Sequence, residues 1–194
     1  IRDPEMSRGL GDVYKRQKAD YEIRQETEKD YPQVFKLVEE AFLDMKESDH
    51  CEQFLVERLR HSPAFVPELS LVADGDGGVV GYGLMTRVSI RSGKVDAESL
   101  ALAPVAVRPD RQSMGIGSAL IRELHARAAR LGYKSAVVLG HEGFYPRFGY
   151  RKASDYGIAF LFEVPSECCM AVELVAGGLR GIRGVVCYPE AFME

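Results

Sequence analysis

Residues Val105 to Leu131 constrain this chain more than any other stretch, because they dictate a strand, a glycine-bearing loop and a helix in immediate succession. Val105-Ala106-Val107 closes an apolar run, and Pro109-Asp110 breaks it, since proline removes a backbone donor and restricts the residue before it. From Gly117 onward Leu120, Ile121, Leu124, Ala128 and Leu131 recur at helical spacing, while Arg122, Glu123, Arg127 and Arg130 fill the other face. Gly132 supplies the stop. Between strand and helix lies Gln112-Ser113-Met114-Gly115-Ile116-Gly117. Two glycines at a helix mouth let the backbone approach a ligand closely, and the free amides and dipole of the first turn suit a pyrophosphate. A P-loop is excluded because no lysine follows Gly117, and a dinucleotide fingerprint is disfavoured because Leu120 stands where its third glycine belongs. What remains is Gln-x-x-Gly-x-Gly after Val-x-Val. The competing reading is a plain strand-to-helix turn whose glycines serve packing alone.

With 194 residues the chain has length for one domain with a proper core. A net charge of −4 argues against a general nucleic-acid or anionic-membrane surface. Cys51, Cys168, Cys169 and Cys187 include no Cys-x-x-Cys pair, so reduced thiols in a cytoplasmic protein are expected. His50, His61, His125 and His141 form no ligand-spaced cluster, so no metal site is expected. No apolar run approaches the roughly 18 to 20 residues of a membrane span, and no signal peptide is visible.

Residues 1–17 are charged, poor in apolar residues and without periodicity, and they resemble translated sequencing-adapter sequence. They are set outside a single domain spanning residues 18–194, with a short native tail as the alternative. Tyr21 to Gln25 alternates as a first strand. Thr27 to Asp30 with Pro32 opens a helix whose buried stripe is Val34, Phe35, Leu37, Val38, Ala41 and Phe42. A second helix, Asp49 to Arg60, is expected to turn Phe54, Leu55 and Leu59 inward, and Pro63 and Pro67 close it off. Leu69 to Ala73 and Val79 to Val88 read as a hairpin about Asp74 to Gly78. Gly81 and Gly83 signal a bulge or a close backbone approach, and Pro104 an irregularity in the strand Val95 to Val107. Later strands are expected at Ser135 to Leu139, Phe160 to Val164 and Cys169 to Val175.

The Gln-x-x-Gly-x-Gly loop resembles the acetyl-coenzyme A loop of the GNAT superfamily of N-acetyltransferases. A second signature follows in family order: Phe144-Tyr145-Pro146-Arg147-Phe148-Gly149-Tyr150 is similar to the aromatic Phe-Tyr-x-x-x-Gly-Phe segment, with tyrosine in place of the last phenylalanine. The Gly-His before it, the Tyr-Pro-Arg-Phe-Gly core and the terminal Tyr188 to Phe192 resemble the YhbS-like bacterial branch. The resemblance covers about residues 20–194. It implies an α/β (α+β) fold of GNAT type: a single mixed, mostly antiparallel twisted sheet, splayed at its central strands, with helices on both faces.

It further implies acetyl-CoA as cosubstrate and acetyl transfer to a primary amine of a small molecule or an exposed amino group. In that family the pantetheine arm enters the splay, so Val105, Ala106 and Val107 are the expected strand contacts. Met114, Gly115, Ile116, Gly117 and Ser118 would hold the pyrophosphate, with Arg111, Gln112 and Ser113 beside it. An amide near Val107 would donate to the thioester oxygen. Tyr145 matches the family's general acid toward the departing thiolate, its competing role being a packed aromatic. Glu98 is the expected base, with Glu142, His141 and unaided loss of a proton to water as competitors. The acidic loop Asp44, Glu47 and Asp49 could receive a cation or simply be solvated. A non-catalytic acyl-CoA-binding sensor or partner protein is the alternative function, and a homodimer is left open.

Overall fold

Runs of buried residues along the central strands build a sheet covered on both faces. The computed structural model describes residues 20–193; the tail assigned to residues 1–17 lies outside them. Strands β1 (Tyr21–Gln25), β2 (Ser70–Gly75), β3 (Gly78–Ser92) and β4 (Val95–Val107) pair antiparallel in sequence order. Helices α1 (Tyr31–Phe42) and α2 (Glu52–Arg60) link β1 to β2. Helix α3 (Ile116–Arg130) carries the chain from β4 to β5 (Ser135–Leu139), which pairs parallel to β4. Beyond β5 come the short β6 (Arg151–Lys152) and β7 (Ile158–Ala159), then β8 (Cys169–Glu173) and β9 (Gly184–Cys187). Among the described residues this makes one mixed, mostly antiparallel sheet of nine strands, in the order β1-β2-β3-β4-β5-β8-β6, with β9 on the far end of β3 and β7 beside β9.

Leu71, Ala73, Leu100 and Leu102 face Leu120, Ile121 and Leu124 of α3, while Val72, Tyr82, Leu84 and Ala106 face Val34, Leu37 and Val38 of α1. Neighbouring residues of one strand thus serve opposite cores, the mark of a strand buried on both faces. Leu120 and Leu124 are fully buried, each contributing roughly 2 kcal/mol, so α3 is held firmly to the sheet. A methyl group on Gly81 would stand 2.7 Å from Ile116 Cγ2, and one on Gly83 2.9 Å from Leu124 Cδ1. These two glycines therefore mark the close approach of α3 to β3.

Three elements depart from the sequence reading. Helix α2 begins at Glu52 and buries Gln53, Val56 and Leu59, leaving Phe54 46% exposed with its ring edge-to-face on Phe35. Gln53 lies inside with its Nε2 donating to the His50 carbonyl at 2.9 Å. Residues Phe160 to Val164 do not form a strand; the pairing falls on β7 just before them. Finally, the strand expected over Cys169 to Val175 stops at Glu173, and Cys168 before it closes a short 3-10 turn (Ser166–Cys168).

Candidate active site

Strand β4 changes partner halfway along. It pairs with β5 only at Leu100–Ala136 and Ala101–Val137, while β5 continues on β8 as far as Leu139 and β4 continues on β3 as far as Val107. The two central strands thus separate after Ala101. At the same level the β3–β4 register shifts between Gly83 and Met85, opposite Pro104, so Leu102 and Val105 share the α3 face despite an odd spacing. The Arg108 N–H donates to the Val80 carbonyl at 3.0 Å beside the Gly81–Val107 pair. In an antiparallel ladder that pattern turns the peptide groups of the intervening residue away from its partner strand. The N–H and C=O of Val107, and of Val105 two residues earlier, accordingly point into the gap. Ala106 does the opposite: its peptide groups face β3 and its side chain is buried against α1.

The loop that follows carries two left-handed residues, Ser113 at φ 62° and Gly115 at φ 84°. Gly115 caps α3, and the Ala119 N–H returns to its carbonyl at 3.0 Å. The amides of Gly115, Ile116, Gly117 and Ser118 donate to no group among the described residues, which suits an anion at a helix N-terminus. Gly117 is not explained by protein packing. A methyl there would make only ordinary contacts, 3.5 Å to Val107 Cγ2 and 3.8 Å to Val105 Cγ1. Gln112 folds back, its Nε2 donating to the Val107 carbonyl at 3.2 Å. Arg111 is half-buried without an ion pair, whereas Arg108 is paired with Asp110 at 2.6 Å. Met114 is exposed.

The aromatic segment lies on the β5 side of the gap, in the turn that follows Leu139. Tyr145 opens a 3-10 turn (Tyr145–Phe148) that Gly149 ends at φ 93°. Its ring meets Phe144 and Tyr150 edge-on, with centroids 5.1 and 5.7 Å away, and lies so close over Gly140 that a methyl group there would collide with it. Burial pushes the Tyr145 phenol up to about 12, and its hydroxyl has no partner among the described residues. Tyr150, fully buried, instead shares a hydrogen bond with His125 Nε2 at 3.0 Å.

Where the strands part, a cleft of about 440 Å³ opens over Ala101, Leu102, Ala103 and Leu139. It is lined further by Glu47, Asp49, Glu52, Leu55 and Arg58, and by Phe162, Val164, Tyr188 and Phe192. The cleft takes in two of the three expected acids, Glu47 and Asp49, and not Asp44. Glu52, Phe162 and the Tyr188–Phe192 pair were not assigned to a site from sequence. Glu98 lies elsewhere: it is exposed and borders a neighbouring depression with Arg87, Arg91 and Asp96. It stands three residues from Ala101 along β4, about 10 Å at the usual strand rise. His141 and Glu142 are exposed in the turn after β5.

Comparison with known proteins matches this architecture. Residues 22–153 fit the family model described as an acetyltransferase (GNAT) domain. The chain is 37% identical to the uncharacterized N-acetyltransferase YjhQ of Escherichia coli over 141 residues, 70% of this chain and 75% of that protein. It is 30% identical to YhbS of the same organism over 171 residues, 88% and 97% of the two chains. The crystal structure of YhbS in complex with CoA superposes with a TM-score of 0.81 at 28% identity, covering 90% of this chain and 93% of that one. A GNAT family acetyltransferase from Brucella melitensis in complex with acetyl-CoA gives 0.72 at 31% identity, covering 89% and 97%. The open sheet, the glycine loop at the mouth of α3 and the gap between β4 and β5 are those of an acyltransferase fold. The chain belongs to the GNAT superfamily of N-acetyltransferases.

Proposed function

We propose that this protein moves the acetyl group of acetyl-CoA to a primary amine by direct attack, and that residues 18–194 act as one catalytic domain. The observation that carries this reading is the gap between β4 and β5: the peptide groups of Val105 and Val107 turn into it, the unbonded amides of Gly115 to Ser118 lie in the loop that follows β4, and Tyr145 covers Gly140 in the turn that follows β5. In this reading the loop amides, with Arg111 and Ser113 at their side, take the pyrophosphate. Val105 and Val107 bond the pantetheine arm once Gln112 releases the Val107 carbonyl. Ala106 contributes its place in the strand and no contact. Two complex structures of similar chains, one with CoA and one with acetyl-CoA, support the choice of cosubstrate.

A neutral amine adds to the thioester carbonyl, and a β4 amide bordering the gap donates to the oxygen that gains charge. The tetrahedral adduct collapses as the C–S bond breaks, and Tyr145 gives its proton to the leaving sulfur. A phenol raised by burial stays protonated at neutral pH, so the proton is in place when the C–S bond breaks, while the same shift makes the phenol a weaker acid. The amine's proton leaves to water or to a cleft carboxylate. Glu98, outside the cleft, acts in this reading only through intervening water. An open acceptor cleft beside the gap favours turnover over a sensor that merely holds the coenzyme. The four free thiols suit a reducing cytoplasm, and no helix among the described residues is long and apolar enough to cross a membrane.

The test is release of free thiol from acetyl-CoA in the presence of a panel of amines. Amine-dependent release is expected, and Tyr145→Phe should lower kcat by about 10²-fold, the low end for a lost general acid, with coenzyme affinity held within twofold. Tight coenzyme binding with no turnover on any amine would replace this reading with a binding role.

A further inference from the structure

Tyr145 is held by its ring, and the ring rests on backbone that only glycine leaves bare. The three nearest neighbours of a methyl group on Gly140 would all be ring atoms of Tyr145, Cδ2 at 2.8 Å, Cζ at 3.0 Å and Cε2 nearer still. The backbone itself does not call for glycine there, since Gly140 lacks the left-handed φ found at Gly115 and Gly149. Nor is it free to withdraw. The Gly140 N–H donates to the Cys168 carbonyl at 3.0 Å, extending the β5–β8 ladder one residue past the Leu139–Cys169 pair. The glycine therefore answers to the Tyr145 ring. The tilt of that ring is set as well: Phe144 meets it at 86° and Tyr150 at 80°. Tyr150 is fixed in turn by the bond between its hydroxyl and His125 Nε2 on α3.

We propose that Gly140 is a positioning residue for acetyl transfer, its bare Cα setting where the Tyr145 phenol stands relative to β5, with Tyr150 as the brace that fixes the ring's tilt. With a methyl group at Gly140 the ring must retreat by about 1 Å or more to regain ordinary carbon–carbon contact. A misplacement of about 1 Å in a reacting group costs up to about 10²-fold in rate. This role rests on the reading of Tyr145 as the general acid.

It is tested by steady-state thiol release from acetyl-CoA by the full chain, with phenethylamine, spermidine and lysine as acceptors and the fastest of them carried forward. Gly140→Ala is expected to lower kcat about tenfold or more and to leave the KM for acetyl-CoA within about twofold. In a Tyr145→Phe background the same substitution should change kcat by less than about twofold, because the proton donor it displaces is already gone. A merely structural role would cost the same factor in both backgrounds. Tyr150→Phe keeps the ring but loses the bond to His125, and should lower kcat about threefold with the same dependence on Tyr145. It serves where Gly140→Ala does not fold. A Gly140→Ala chain as fast as the native one, or slowed equally with and without the Tyr145 hydroxyl, overturns the proposal and leaves acetyl transfer standing. So does a Tyr145→Phe chain of undiminished kcat. No thiol release by the native chain on any of the amines overturns acetyl transfer itself, and this role of Gly140 with it.

Discussion

Gly115 and Gly117 sit two residues apart in the loop and are glycine for different reasons. At Gly115 the backbone requires it: φ is 84° and a methyl group would meet nothing. Gly115→Ala should therefore destabilise the protein by about 1 to 2 kcal/mol, the cost of a left-handed residue with a Cβ. Gly117 is helical, and a methyl there is accommodated by the protein. Gly117→Ala should leave the urea midpoint unchanged or raise it, alanine being the better helix former by about 1 kcal/mol, while lowering CoA affinity about tenfold. Thermal shift with and without CoA separates the two effects. Unchanged affinity in Gly117→Ala would remove the loop from the coenzyme site. Tyr145 gives a second expectation at this scale. With its phenol raised to about 12, activity should climb with pH as the amine loses its proton and show no fall from Tyr145 ionisation below about pH 10, as a pH profile of kcat would record.

At the scale of elements, a buried ion pair ties β1 to the helical layer. Arg60 at the end of α2 bonds Glu26 just after β1, both side chains nearly inaccessible, and Glu26 also accepts from Ser70 Oγ at 2.6 Å, which meets the Tyr82 hydroxyl at 2.9 Å. The Arg60 guanidinium lies 3.8 Å from the Tyr31 ring centroid. Glu26→Gln leaves a buried guanidinium without its counter-charge, and about 3 to 5 kcal/mol of stability should be lost, read as a lower urea midpoint at constant slope. Such a network is invisible to hydrophobic periodicity, which is why Glu26 and Arg60 drew no notice in sequence. What periodicity does register it placed well: β1, the stripe of α1, the hairpin before β3, α3 and β5 stand where apolar spacing and glycines put them. Phe54 went wrong because pattern reading assumes the largest apolar residue faces inward, whereas the loop before α2 needed the Gln53 amide there. Phe162 went wrong because an apolar run bounded by turns suits a strand and a cleft wall equally. The glycine loop was legible because its free amides are consecutive in sequence. The cleft was not, since Glu52, Leu139, Phe162 and Tyr188 meet only through the fold.

For the molecule as a whole, the aromatic turn and α3 are joined through one titratable contact, and its ionisation reaches global stability. His125, on the inner side of α3, meets the Tyr150 hydroxyl at 3.0 Å, and its ring packs on Tyr150 with centroids 5.4 Å apart. Burial lowers the imidazole to about 4 from an ordinary 6.5. Between those values the unfolded chain binds a proton that the folded chain refuses, so unfolding is favoured as pH falls. The stability at stake is complete above pH 6.5 and lost progressively as pH drops to about 4, by about 2 kcal/mol once partial solvent exposure is allowed for. Asp30 acts lower on the scale. Hydrogen bonds from Arg24 at 2.8 Å hold its carboxyl well below the usual carboxylate range, so its contribution is complete above about pH 4 and is lost only in stronger acid. The two windows barely overlap, and urea unfolding at pH 7, 5.5 and 4.5 isolates the histidine. His125→Gln keeps a hydrogen-bonding group toward Tyr150 but cannot titrate, and its stability should fall less than half as far as that of the native chain across this range. An equally steep fall in the variant would mean that the acid sensitivity resides in the carboxylates, and that the contact between α3 and the Tyr145 segment is indifferent to pH.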